Sequence, residues 1–172
     1  GNTVVKSEAL MPLFKVTKGD WYNEKDVRDG LVKAREIYGG GGYMEFTGAP
    51  DLKFKNDGIE AGIDATVPAA LLAEAAPIDP VVDVTMRLQE GKQYFVNRIT
   101  FTGNSTTRDN VIRREVQLYE NNVFSTEALK FSVRRLNQLG YFKPIEDQKH
   151  IQVDKTPGVD NKVDVTLQLE EQ

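Results

Sequence analysis

The sequence predicts an α+β protein built from two copies of one unit. Each unit runs strand, helix, helix, strand, strand, with two helices packed on a three-stranded sheet. Two observations carry this. The stretch from Ile99 to Phe142 reads strand, helix, helix, turn from its own periodicity, and much of the rest of the chain repeats it. The clearest echo is Val82-Asp83-Val84-Thr85, which recurs as Val163-Asp164-Val165-Thr166. Each copy continues with an apolar residue, a polar one, Leu, a polar one and Glu. That alternation suits a strand with one covered face.

The second copy is the more complete. Ile99-Thr100-Phe101 alternates like a half-buried strand, and Gly103-Asn104 breaks it, both tolerating positive φ. Thr106 and Asp109 stand at capping-box spacing, which starts a helix carrying Val111, Ile112 and Val116 inward. Asn121-Asn122 ends it. Ser125 caps the next helix, with Phe124 and Leu129 placed as a hydrophobic staple. Leu129, Val133 and Leu136 keep helical spacing. Gly140 is the left-handed stop, and Tyr141 is positioned to fold back on the last turn. His150 falls in a predicted strand, Lys149 to Val153.

In the first copy, Gly1-Asn2 corresponds to Gly103-Asn104, and Gly42-Tyr43 to Gly140-Tyr141. Its opening strand is missing. Pro12 aligns with Arg114 and should confine the first helix to a short segment. Asn23 caps the second helix, with Asp26 three residues on and Tyr22 and Val27 as the staple. Val27, Leu31, Ala34 and Tyr38 line one face. Gly30 aligns with Ser132; close helix approach and a weak exposed position both fit a small residue there. An insertion of about residues 55–79, rich in Ala, Asp and Gly, reads as an elaborated loop, with Pro68 to Ala76 able to form a short helix. The two units divide at 1–91 and 92–172, with Lys92 and Gln93 as the link. So short a link should limit swivelling.

The chemistry is sparse. A net charge of −4 disfavours phosphate-rich partners. The absence of cysteine excludes disulfides and thiolate metal sites. His150, the single histidine, has no serine or cysteine motif beside it. Gly39 to Gly42 follows a helix instead of opening one, so it closes that helix and does not cradle phosphate. Arg113-Arg114 and Arg134-Arg135 lack interleaved aromatic residues for nucleic-acid stacking. No acidic cluster has metal-loop spacing. The expectation is a binding module with no catalytic residue, metal or cofactor. No membrane-spanning run or signal peptide is visible; parts for export or anchoring are expected outside this stretch.

FTGNSTTRDNVIRRE, RRLNQLGYF and PGVDNKVDVTLQLEE, in that order and partly duplicated, resemble the POTRA (polypeptide-transport-associated) repeats of outer-membrane protein assembly factors of the BamA type. The resemblance covers nearly the whole chain. Leu139-Gly140-Tyr141-Phe142 looks like the repeat next to the membrane barrel, and Ile37 to Tyr43 like the one before it. It implies a periplasmic location at the outer membrane, a C-terminal β-barrel beyond this stretch, and unfolded outer-membrane proteins and partner lipoproteins as ligands. It implies that the third strand of each unit is central and the second is an edge able to accept a client strand by β-augmentation. The edges would be Met44 to Phe54, with Met44, Glu45, Phe46, Leu52 and Phe54, and His150 to Val153, with Ile151 and Gln152 between. It also implies that Arg113, Arg114 and Glu120, on a helix ending at the glutamate, face a partner lipoprotein. Asn121 stands where such repeats usually have glycine. Two-partner-secretion transporters carry similar repeats and are the rival reading. A small-ligand enzyme or RNA-binding sandwich lacks its convergent polar groups or glycine-lysine loop. Finally, Val81 to Gln89 should present an open edge, filled by a second copy or by Gly58 to Val67.

Overall fold

A computed structural model describes residues 2–55 and 81–172. Helices and a sheet form each repeat, around separate cores. In the first, α1 (Ser7–Leu10) passes into a 3-10 turn, Met11–Phe14, with Pro12 at its start. Proline has no N–H to give and fits a first turn, so the first helix stays short as expected. The second helix, α2 (Glu24–Gly40), begins at Asn23, whose side chain accepts from the Lys25 N–H. It buries Val27, Ala34 and Tyr38. Strands β1 (Thr47–Lys55) and β2 (Val81–Gln89) pair antiparallel. Among the described residues β2 pairs with β1 alone. The insertion, its expected helix and the Gly58–Val67 segment lie outside the described residues.

The second repeat contains β3 (Phe95–Thr102), α3 (Asp109–Glu115), α4 (Thr126–Leu139), α5 (Asp147–His150), β4 (Ile151–Lys155) and β5 (Lys162–Gln168). The sheet order is β3-β5-β4, with β3 parallel and β4 antiparallel to β5. The repeat's third strand is therefore central and its second an edge. Val163, Val165 and Leu167 of β5 are buried beneath Ile112, Phe124, Val133 and Leu136. Ser125 caps α4 through the Ala128 N–H, and Gly140 closes it at φ 70°.

Gly30 and Ser132 both mark close approach. A Cβ on Gly30 would come within 2.4 Å of the Phe14 ring. Ser132, fully buried, accepts from the Gln117 N–H and donates to the Ala128 carbonyl.

Four local expectations fail. Thr106 and Asp109 do not form a capping box: α3 starts after Arg108 with no side-chain cap. The free N–H groups of Thr106 and Thr107 are taken instead by the Glu171 carboxylate, from the far end of the chain. Helix α3 ends at Glu115, well before Glu120. Tyr141 is exposed, and Phe142 is the buried aromatic. His150 ends the short helix α5, its Nδ1 accepting from the Glu146 N–H, so the strand begins only at Ile151.

The glutamate contact has a twin. Glu90 is the counterpart of Glu171, and its carboxylate accepts from the Thr3 and Val4 N–H groups, the Thr3 hydroxyl and the Tyr38 hydroxyl. Asn2 and Asn104 also match: each Nδ2 donates to a carbonyl three residues on (Val5, Thr107) and to a side chain five residues on (Ser7, Asp109). Both repeats thus tie the end of their last strand to the turn that opens their first helix.

Candidate functional site

The second repeat has two outer edges, and they differ. Along β3, Asn121 N–H donates to the Val96 carbonyl, Val96 N–H to the Asn122 carbonyl, and Phe124 N–H to the Tyr94 carbonyl. Further along, Glu120 accepts from the Ile99 N–H at 3.2 Å and Arg113 donates to the Ile99 carbonyl at 3.1 Å. Arg113 and Glu120 also pair at 3.5 Å, and the guanidinium lies 5.4 Å from the centre of the Phe101 ring. These contacts occupy the backbone groups that another strand would need.

Arg113 and Glu120 are thus brought together, but not on one helix. Glu120 lies in the turn after α3, where Asn121 holds φ 68°. Asparagine tolerates that left-handed conformation, so the turn survives without glycine. Arg114 is exposed. Glu115 instead pairs with Arg135 of α4 at 2.8 Å.

The β4 edge is paired on one side only among the described residues. Ile151 and Val153 are half-buried against the core rim, and Gln152 and Asp154 point to solvent. In the first repeat β1 is the corresponding edge. Leu52 is half-buried and Phe54 is 67% exposed. Met44, Glu45 and Phe46 are not part of this edge: they precede the strand, and Phe46 is buried, stacked on Tyr38 with ring centres 4.3 Å apart. Pro50, which cannot donate to a ladder, stands in β1 as proline does on edge strands.

The repeats meet at residues whose role the sequence did not disclose. Gly39 and Gly40 end α2 against the start of α4, and a Cβ on Gly39 would lie 2.5 Å from Thr126 Oγ1. Gly42, at φ +88°, leaves room for Val123 and accepts from the Tyr94 N–H. Gln93 donates to the Gly41 carbonyl. Across the joint Glu45 pairs with Lys155, the last residue of β4, whose ammonium also lies over the Tyr94 ring. Lys155 holds the Glu45 carboxylate below the usual range, and Glu45 in turn raises the Lys155 ammonium. The run Gly39 to Gly42 was the available signal: closing one helix does not need so many glycines.

Helices packed on a sheet, present twice in tandem, with the third strand central in the complete second copy, define a tandem polypeptide-transport repeat. The chain belongs to the POTRA family: that family's sequence model, described as surface antigen variable number repeat, matches residues 1–91 and again 94–172. Over 172 residues it is 30% identical to the outer membrane protein assembly factor BamA of Neisseria meningitidis serogroup B, covering 99% of this chain and 18% of that one. The corresponding protein of Buchnera aphidicola is 35% identical over 103 residues, 55% of this chain and 16% of its own. The chain thus spans under a fifth of these relatives. Among solved structures, POTRA3-5 of Haemophilus influenzae BamA superposes with a TM-score of 0.69 at 20% identity, covering 96% of this chain and 56% of that one. Haemophilus ducreyi BamA lacking POTRA domains 1-3 gives 0.68 at 21%, with 95% and 26% covered. At such identities these two bear on the fold alone.

Proposed function

We propose that this chain is a periplasmic scaffold of an outer-membrane protein assembly machine. It would hold unfolded barrel proteins by strand addition and do no bond chemistry. The observation that carries this is the contrast between the two edges of the second sheet. The β3 edge is occupied by Arg113, Glu120 and the turn from Asn121 to Phe124, while among the described residues β4 pairs on one side. Main-chain pairing at such an edge gives affinity with little sequence specificity, as many different clients require. The relatives' role in assembling outer-membrane proteins supports the same reading. Arg113 and Glu120 form the candidate corner for a partner lipoprotein, since both keep much of their side chains exposed.

A photo-crosslinking residue at Gln152 tests the edge, with one at Arg134 on the helix face as control. An unfolded outer-membrane barrel polypeptide should form adducts from position 152 and few from 134. Equal yields at both positions, or none at 152, would overturn the proposal.

A further inference from the structure

Strand β4 runs toward the joint and ends at Lys155. Lys155 pairs with Glu45, and β1 leaves the joint at Thr47, two residues later. The end of β4 therefore lies beside the start of β1, with β4 entering the joint and β1 leaving it. Each is antiparallel to the last strand of its repeat, β2 or β5, and among the described residues each has one neighbour. Apolar side chains stand on the alternating positions of both: Ile151 and Val153 on β4, Leu52 and Phe54 on β1. All four remain partly or largely exposed.

We propose that β4 and β1 act as one composite acceptor edge for a single extended polypeptide with alternating apolar and polar residues. This rests on the strand-addition reading above and specifies its ligand. A strand laid along both edges would bring an apolar residue over each of these rim positions in turn. The Lys155–Glu45 pair clasps the ends of the two edges together. The edges supply five and nine residues. With the joint between them, the occupant needs about 16 residues, roughly 50 Å at strand rise. Pro50 offers no donor, so the pairing on β1 is strongest away from it.

The test uses a synthetic peptide of about 16 residues, alternating apolar and polar, and its two halves of about 8. All are also made with alternate backbone amides methylated. The long peptide should bind this chain at least about tenfold more tightly than either half, because the second edge is engaged at high effective concentration. It should crosslink from both Gln152 and Lys53. Glu45→Lys should remove the gain while leaving the halves' affinity unchanged, and Glu45→Lys with Lys155→Glu should restore it. If long and half peptides bind equally, the edges are separate and the composite edge is wrong, although strand addition stands. If methylation weakens nothing, strand addition itself fails.

Discussion

Replacing Glu90 by glutamine keeps the side chain's size and removes its charge. In the native protein its carboxylate is 8% exposed as a residue and accepts from Thr3, Val4 and Tyr38. Burial alone would raise its pKa. The hydrogen bonds from Thr3, Tyr38 and Val4 outweigh burial and bring it from 4.5 down to about 2. The folded state therefore binds this proton more weakly than the unfolded chain does. The resulting stabilisation is complete above the unfolded value of 4.5 and fades as pH falls toward 2. A shift of this size corresponds to about 3 kcal/mol, and solvent screening at the rim reduces it to about 2. Glutamine leaves one acceptor oxygen and turns an NH2 toward the groups that were donating. Urea unfolding of the first repeat near pH 7 should therefore show Glu90→Gln less stable by about 2 kcal/mol. Near pH 3 the difference should have shrunk markedly, because the native carboxylate is losing its advantage as pH falls toward 2. Amide exchange at Thr3 and Val4 should accelerate in the variant, which locates the effect. A stability difference that stays constant between the two pH values, or unchanged exchange at Thr3 and Val4, would refute the reasoning.

Glu171→Gln should act in the same direction in the second repeat, since Ser105, Thr107 and Thr106 hold that carboxylate at about 2; faster exchange at Thr106 and Thr107 is the readout. Gly39→Ala should broaden the distance distribution between spin labels on α2 and α4, because its Cβ meets Thr126 Oγ1, and adding Thr126→Ala should narrow it again. Glu120→Lys should leave the fold intact, costing about 0.5–1 kcal/mol at an exposed pair, and should weaken capture of a partner lipoprotein in a pull-down; unchanged capture counts against the corner. Self-association through β2 should appear as a concentration-dependent dimer in sedimentation. Antiparallel pairing about Thr85 would set Asp83 opposite Arg87 of the second copy. Arg87→Asp should then abolish the dimer and adding Asp83→Arg should restore it, whereas a monomer at all concentrations would exclude it.

The chain order of the elements was legible in the sequence because local rules govern it. Asn23, Ser125 and Gly140 act within a few residues of themselves, and the caps they predict are the caps observed. The repeat was legible for a related reason: Val82 to Leu88 and Val163 to Leu169 solve the same burial problem with the same alternation. The sequence reading also identified Ile151 to Val153 as an edge, but only through resemblance, because alternation does not say which strand lies outside. It extended that edge back to His150 and the other to Met44, since a helix turn and a buried Phe46 both interrupt strands without any change in local pattern.

What the tertiary structure decided are pairings between residues far apart in the chain. The Thr106–Asp109 spacing offered a local cap, yet Glu171 took the Thr106 and Thr107 N–H groups, and the Asp109 carboxylate accepts from Asn104 instead. Glu120 looked like a helix end, and became the cover of the Ile99 edge only when Asn121 turned the chain back. Gly39 to Gly42 read as a helix stop, and only the approach of Thr126, Val123 and Tyr94 makes them the seat of the second repeat. Glu45 and Lys155 lie 110 residues apart. Their contact, which brings the end of β4 to the start of β1, follows from how the repeats dock. Charge and spacing along the chain carry no record of which side chains the docking brings together.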